Sequence, residues 1–307
     1  MNKVVFFISS HVHLLDLAGA VQVFYESGTY GCPYEIRFVS DQPEQLCSSQ
    51  LAFFSLEHFS NVSVGPDDIV IVPGYDLKQS PVKEQQPVFD WLKKLEQTQA
   101  SICSVCTGAF TLAKAGLLEG KDCTPHWLYT DRLQKDYPSL KVHRDKLFVK
   151  SGNIYSSAGV TTGIDLALYL LELRHGAAHS YKVARDLVVY IRRDGNEAQE
   201  SVYLQHRQHI SYPVHEAQDW ILHHLHEKIT IDQLAGLIHT SPRNLTRLFK
   251  SSTGITIGQY IEKLRLERAR QLLREHRKIE GIARECGFQS TNQLRNLFRK
   301  HKTPGLS

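Results

Sequence analysis

The apolar positions of this chain change period along its length. Val4–Ile8 is an unbroken apolar run, the pattern of a strand buried on both faces. Tyr34–Val39, Asp68–Val72 and Ala100–Val105 predict three further strands, with Pro73-Gly74 closing the run that ends at Val72. Leu17–Tyr25, Pro87–Gln97 and Gly108–Ala115 have helical spacing. Leu147–Lys150 and Ile154–Ser156 flank Gly152-Asn153, a turn dipeptide, and predict a hairpin. Thr162–Arg174 and His179–Ile191 predict two long amphipathic helices. Such alternation implies an α/β sandwich with a mainly parallel sheet. From Arg192 to Pro213 the apolar stripe is lost among Gln, His and charged residues; beyond Pro213 the pattern is helical with no strand signal. The expected division is an α/β domain over 1–195, a linker over 196–213 and an all-α domain over 214–307.

The helical part contains a repeat. Ile231-Asp232-Gln233-Leu234-Ala235 matches Ile279-Glu280-Gly281-Ile282-Ala283, and Leu245, Leu248 and Phe249 match Leu294, Leu297 and Phe298. Each copy reads helix, short turn, helix, the helix-turn-helix plan. Ser241-Pro242 supplies an N-cap and a helix-starting proline in the first copy; Gly287 and Ser290 serve the turn and cap of the second. The second helix of each copy is apolar on one face only. Its other face carries Arg243, Asn244, Arg247 and Lys250 in the first copy, and Asn292, Gln293, Arg295, Asn296 and Arg299 in the second. Arg, Asn and Gln pair bidentately with guanine and adenine edges in the major groove. Ser241, Thr291 and Lys300 are candidate backbone contacts. Thr256–His276, between the copies, suits one helix of about 30 Å, close to the ~34 Å that separates successive major grooves.

Charge strengthens this picture. From Glu216 to the end there are sixteen Lys/Arg against nine Asp/Glu, a net of +7, while residues 1–215 carry −3 of the whole-chain +4. A basic domain on a mildly acidic body is the charge pattern of a nucleic-acid binder, and with the two helix-turn-helix copies the expected partner is double-stranded DNA. The hydrophobic content of 42% fits a globular chain, and no apolar stretch reaches the ~18 residues of a membrane span. MNKVVFFISS is too short for a secretory signal and reads as a first strand. The six cysteines lack metal-ligand spacing, so free thiols in a cytoplasm are expected, with neither metal nor cofactor.

One candidate site stands in the α/β part. Ser101–Phe110 reads strand, sharp turn, helix, with Cys106 at the turn. A helix N-terminus lowers a thiol pKa, and the following N–H can face an oxyanion, the arrangement of a nucleophile elbow. Asp16, after the first strand, and Gly74, at another strand end, can approach it; Thr107 and His126 complete the candidate pocket residues.

Two resemblances follow from these residues. Ser241-Pro242-Arg243-Asn244-Leu245, Leu266–Arg270, Ile282–Phe288 and Phe298-Arg299-Lys300 resemble the AraC-type DNA-binding domain. Val105–Phe110, His126-Trp127 and Ser157–Asp165 resemble the ThiJ/PfpI superfamily, a class I glutaminase-like, flavodoxin-like sandwich. The pairing is similar to the GlxA-type transcriptional regulators. The resemblance implies a homodimer that binds operator DNA, with RNA polymerase a further candidate partner and a small amino-acid- or amine-like effector in the first domain. Hydrolytic members of the superfamily place His directly after the nucleophile; Thr107 stands there, so no catalytic residue is expected. The set Asp16, Cys106 and Thr107 also resembles isonitrile hydratase, so the rival reading is a cysteine-dependent hydratase or amidase with an appended DNA-binding domain. Tyr75 follows Gly74 where relatives often carry a second Gly, a departure that bears on the oxyanion donor.

Overall fold

The computed structural model describes residues 1–79, 86–189, 193, 195–196, 199, 201–274 and 277–301. It comprises two compact units, Met1–Gln199 and Glu200–Ser307.

The first unit runs β1 (Lys3–Phe7), α1 (Leu14–Thr29), β2 (Glu35–Ser40), β3 (Gln45–Leu46), β4 (Ala52–Phe53), β5 (Glu57–His58), β6 (Ile69–Val72), α2 (Gln86–Glu96), β7 (Ser101–Val105), α3 (Gly108–Lys114), β8 (Asp122–Cys123), α4 (Thr130–Asp136), β9 (Lys141–Val142), β10 (Phe148–Ser151), β11 (Ile154–Ser157), α5 (Thr162–His175) and α6 (Ala177–Asp186). Seven strands form one sheet in the order β10-β11-β7-β6-β1-β2-β5. All neighbours are parallel except the β10–β11 hairpin.

The apolar run of β1 explains its central place. Val5 and Phe7 enter the core beneath α2 and α3, with Val88, Phe89, Leu92 and Leu112. Val4, Phe6 and Ile8 enter the opposite core, with Leu17, Ala20, Phe24 and Leu168 of α1 and α5. Period-2 alternation thus feeds two cores at once, and each fully buried large side chain contributes about 1.5–3 kcal/mol. The chain passes from β1 outward to β2 and returns as β6 on the other flank of β1. That reversal makes the carboxyl ends of β1 and β6 a topological switch point, where open α/β sheets place their sites.

The helix expected over His179–Ile191 is shorter in the structure. α6 ends at Asp186, where Val188 adopts φ +54° and the Val189 N–H bonds back to the Ala184 carbonyl. That six-to-one closure is a Schellman stop, usually reserved for glycine, and Ile191 lies outside the described residues. α1 starts at Leu14, ahead of the expected Leu17, which puts Asp16 in its first turn.

The second unit holds α7 (Tyr212–His223), α8 (Ile231–Leu237), α9 (Pro242–Thr253), α10 (Ile257–Arg274), α11 (Ile279–Glu285) and α12 (Thr291–Lys300). Each helix pair has its own core: Leu234, Leu245, Phe249 and Tyr260 in one, Ile282, Leu294, Phe298 and Leu272 in the other. α10 contributes to both. The turns of the two pairs differ for a physical reason. His239 and Gly287 both take positive φ, at +52° and +72°. A Cβ on Gly287 would lie 2.3 Å from the Leu225 carbonyl oxygen, so only this turn demands glycine.

The stretch expected as a linker, 196–213, is structured where it is described. The Gln199 amide bonds Thr124, Pro125 and Lys146 in the first unit. Val202 and Tyr203 pack on the second unit's core, and His206 contacts the Thr253 carbonyl. Its polar composition hid this because the segment docks through hydrogen bonds and two isolated apolar side chains, Val202 and Tyr203, rather than a periodic apolar stripe. Among the described residues no helix is long and apolar enough to cross a membrane, and no group of three or more metal-ligating side chains converges.

Candidate functional site

The switch point brings together four of the five residues expected to form the pocket. Asp16 follows β1, Gly74 follows β6, and Cys106-Thr107 follows β7. Cys106 sits at φ +57°, a left-handed conformation that L-residues adopt at a cost of about 1–2 kcal/mol. Its N–H bonds the Ser157 carbonyl of β11, which anchors the turn. Glycine on either side makes room. A Cβ on Gly74 would meet Asp16 Oδ2 at 2.3 Å and Cys106 Cβ at 2.7 Å; one on Gly159, at φ +92°, would meet Cys106 Cβ at 2.2 Å.

Burial governs the chemistry here. Asp16 is 1% exposed and Cys106 5%. Burial raises the Asp16 carboxyl above its ordinary value, opposed by the Val160 N–H and by His13. Asp16 Oδ1 accepts that N–H at 2.5 Å; Oδ2 makes no hydrogen bond of standard geometry, although the Cys106 thiol acts on the carboxyl as a hydrogen-bonding neighbour. Burial and the neighbouring Asp16 push the Cys106 thiol up, against the helix-start effect expected from sequence. α3 is only seven residues long, and desolvation outweighs its amides. The neighbours that act most strongly on the thiol are Asp16 and Thr107. The site therefore presents a neutral thiol beside a half-satisfied carboxyl group.

Thr107 is fully buried and serves structure. Its hydroxyl donates to the Tyr75 carbonyl and accepts from the Tyr75 N–H, both at 2.7 Å. The Tyr75 amide is consumed in that clasp and is closed to an oxyanion. Burial drives the Tyr75 phenol up to about 12. His126 flanks the cluster rather than joining it. Its Nδ1 accepts from the Leu128 N–H at 3.3 Å, which leaves the proton on Nε2. Burial holds the imidazole below its ordinary value, while Asp16 pulls the other way. Gly159, Val160 and His13 are the site residues that the sequence alone did not single out; the first two lie in the run Ser157–Asp165 that carries the family resemblance.

In the second unit the expected reading residues lie on one side of the cores. Arg243, Asn244, Arg247 and Lys250 of α9 are exposed; so are Asn292, Gln293, Arg295, Asn296 and Arg299 of α12, with Thr291 half-buried. Ser241 caps α9 by accepting the Asn244 N–H, and Ser290 caps α12 through the Gln293 N–H. Three expected base readers, Gln293, Asn244 and Arg247, make internal hydrogen bonds. Gln293 Oε1 accepts the Gln289 N–H. The Asn244 amide donates to Thr240 Oγ1 and accepts from Arg247. Lys300 pairs with Glu262 at 2.7 Å, so its place as a phosphate contact is contested within the protein. α10, eighteen residues long, spans about 27 Å between the pairs.

The DJ-1/PfpI family matches residues 2–173, and a helix-turn-helix domain matches residues 234–303. The regulator GbdR of Pseudomonas aeruginosa is 30% identical over 237 residues, which is 76% of this chain and 63% of GbdR. The regulator GlxA of Rhizobium meliloti is 28% identical over 221 residues, 70% of this chain and 67% of GlxA. The alignment to the first of these relatives thus spans 63% of its length. A crystal structure of an AraC family transcriptional regulator from Pseudomonas putida superposes with a TM-score of 0.54 at 18% identity, covering 61% of this chain and all of that one. It supports the fold of the first unit.

Proposed function

The chain belongs to the DJ-1/PfpI family and carries a helix-turn-helix domain at its C-terminal end, and from that premise we propose that it is a sequence-specific, DNA-binding transcription regulator of the AraC type. The observation that carries the reading is the pair of outward polar faces on α9 and α12. Both helices are capped at their N-termini, both expose Arg and Asn, and α10, about 27 Å long, packs against the cores of both pairs. Arg247 and Arg295 are assigned to base edges, Lys250 and Arg299 to phosphates.

The first unit is assigned a small metabolite. Asp16 Oδ2 is a buried acceptor that lacks a well-formed hydrogen bond, and an occupant with an N–H or O–H group completes it. An amine or amino acid has that chemistry. The neutral thiol and the occupied Tyr75 amide favour sensing over turnover. The chain acts as a homodimer on paired half-sites in the bacterial cytoplasm, with RNA polymerase its further partner.

Selection of bound duplexes from a random pool by the full chain tests the DNA assignment. Enrichment of two sequence blocks about one helical turn apart is expected, with affinity falling steeply as salt rises. Retention of no sequence above background refutes it. Screening amines and amino acids by thermal shift, with turnover of amides and isonitriles assayed alongside, separates sensor from enzyme. Turnover abolished by Cys106→Ala identifies an enzyme.

A further inference from the structure

The last described residues of the first unit are docked on the back of the Cys106 site at three points. Arg193 grips Asp165 of α5: its N–H reaches Oδ1 at 3.0 Å, and its Nε and Nη2 reach Oδ2 at 2.9 and 2.6 Å. Nη2 also donates to Thr161 Oγ1 at 2.7 Å. Thr161 is the neighbour of Val160, whose N–H holds Asp16. The carbonyl of Gly195 accepts the Leu147 N–H at 2.9 Å, and the Leu147 carbonyl in turn accepts the Ala158 N–H. Ala158 precedes Gly159, whose backbone is packed on Cys106. Gln199 Nε2 donates to Thr124 Oγ1, the Pro125 carbonyl and the Lys146 carbonyl at 2.9–3.1 Å. Pro125 precedes His126.

Arg193 and Gln199 thus each end one residue from a group beside the thiol site, Gly195 reaches it through Leu147 and Ala158, and beyond Gln199 the chain enters the second unit. The anchors are built for specificity. Asp165 is 3% exposed on its side chain, and a buried carboxylate needs its fork-shaped partner. Gly195 admits no side chain, because a Cβ would lie 2.7 Å from the Phe148 carbonyl oxygen.

We propose that Arg193, Gly195 and Gln199 form an exit strap whose docking is coupled to occupancy of the Cys106 site, so that an occupant acts on the DNA-binding unit through the strap. The inference rests on the reading that this site takes an effector. Coupling is reciprocal: if an occupant loosens or tightens the strap, loosening the strap must change access to the site. The two loops that both sides share, around 124–126 and 158–165, are the physical connection.

Cys106 itself reports the coupling, with no effector or DNA required. The full chain is treated with iodoacetamide, and alkylation of each cysteine is followed by mass spectrometry in the wild type, Arg193→Ala and Gln199→Ala. Hydrogen bonds to a charged group are worth about tenfold or more in an opening equilibrium. Alkylation of Cys106 in Arg193→Ala is expected to accelerate by about that factor, while Cys286, in the second unit, keeps its rate. In the reverse direction, wild-type protein carboxamidomethylated at Cys106 is expected to change hydrogen exchange in peptides containing Gly195 and Gln199. A Cys106 rate within about twofold of wild type in both variants, with those peptides also unchanged, overturns the proposal. Arg193→Lys keeps the charge but loses the fork; an intermediate rate supports the proposal even where Arg193→Ala fails to fold. An unsuccessful search for effectors sinks the sensing assignment and leaves this coupling measurable.

Discussion

In the first unit the groups that carry chemistry are buried and lean on one another; in the second they stand outside cores that exclude them. Asp16, Cys106, Gly74 and Gly159 share one crowded volume, so each limits the shape of the next. Arg243, Arg247, Arg295 and Arg299 project from helices whose stability comes from Leu245, Phe249, Leu294 and Phe298 on the opposite face. The difference teaches where function and stability separate. Substitutions at the buried site are expected to move both together, whereas substitutions on the reading faces move function alone.

Gly159→Ala should be the harshest test of this contrast. The new Cβ must occupy a left-handed backbone position and displace Cys106. Strain of about 1–2 kcal/mol and overpacking of about 1–3 kcal/mol add to a loss of roughly 2–5 kcal/mol, read as a fall in the urea midpoint. An unchanged midpoint means that the site has room to give. Arg295→Ala should leave that midpoint within about 0.5 kcal/mol while weakening operator binding by about 1–3 kcal/mol at one base pair. Lys250→Ala should weaken all duplexes alike and lower the salt slope by about one. A large melting shift in either variant removes the separation claimed for the second unit.

Asp16→Asn sharpens the contrast from the other side. The folded carboxyl titrates above its unfolded value of 3.8 because it is buried. Between those two values the folded state holds a proton that the unfolded chain has released, so rising pH removes stability. Asparagine escapes that loss and still accepts the Val160 N–H. The variant should melt higher than wild type at neutral pH, with the gap closing as the pH falls to 3.8; a lower melting point at neutral pH would contradict the role of burial.

The same contrast explains what the sequence revealed. The second unit's helices were legible because their faces are set by local period and capping: Ser241-Pro242 and Ser290 mark starts that the structure keeps. Asp16, Gly74 and Cys106 could be placed near one another because strand ends in a doubly wound sheet converge. The ionisation of Cys106 could not be read, because desolvation depends on neighbours brought from β1, β6 and β11. From sequence, Thr107 is expected in the pocket and Gln293 on the DNA-reading face. Their actual partners, Tyr75 and the Gln289 N–H, show that a polar side chain near a turn is claimed first by the backbone. The strap was invisible for a related reason, since its anchors are hydrogen bonds across more than twenty residues of chain.

The Gln293 cap has a practical corollary for anyone handling this protein. Its side-chain oxygen holds the Gln289 N–H, a task that glutamate performs equally well at a helix start. Slow deamidation, or a deliberate Gln293→Glu change, should leave the fold intact while setting a negative charge on the face proposed to read DNA. Aged preparations can thus lose their target silently, and the same substitution supplies a well-folded blank for assays of repression or activation.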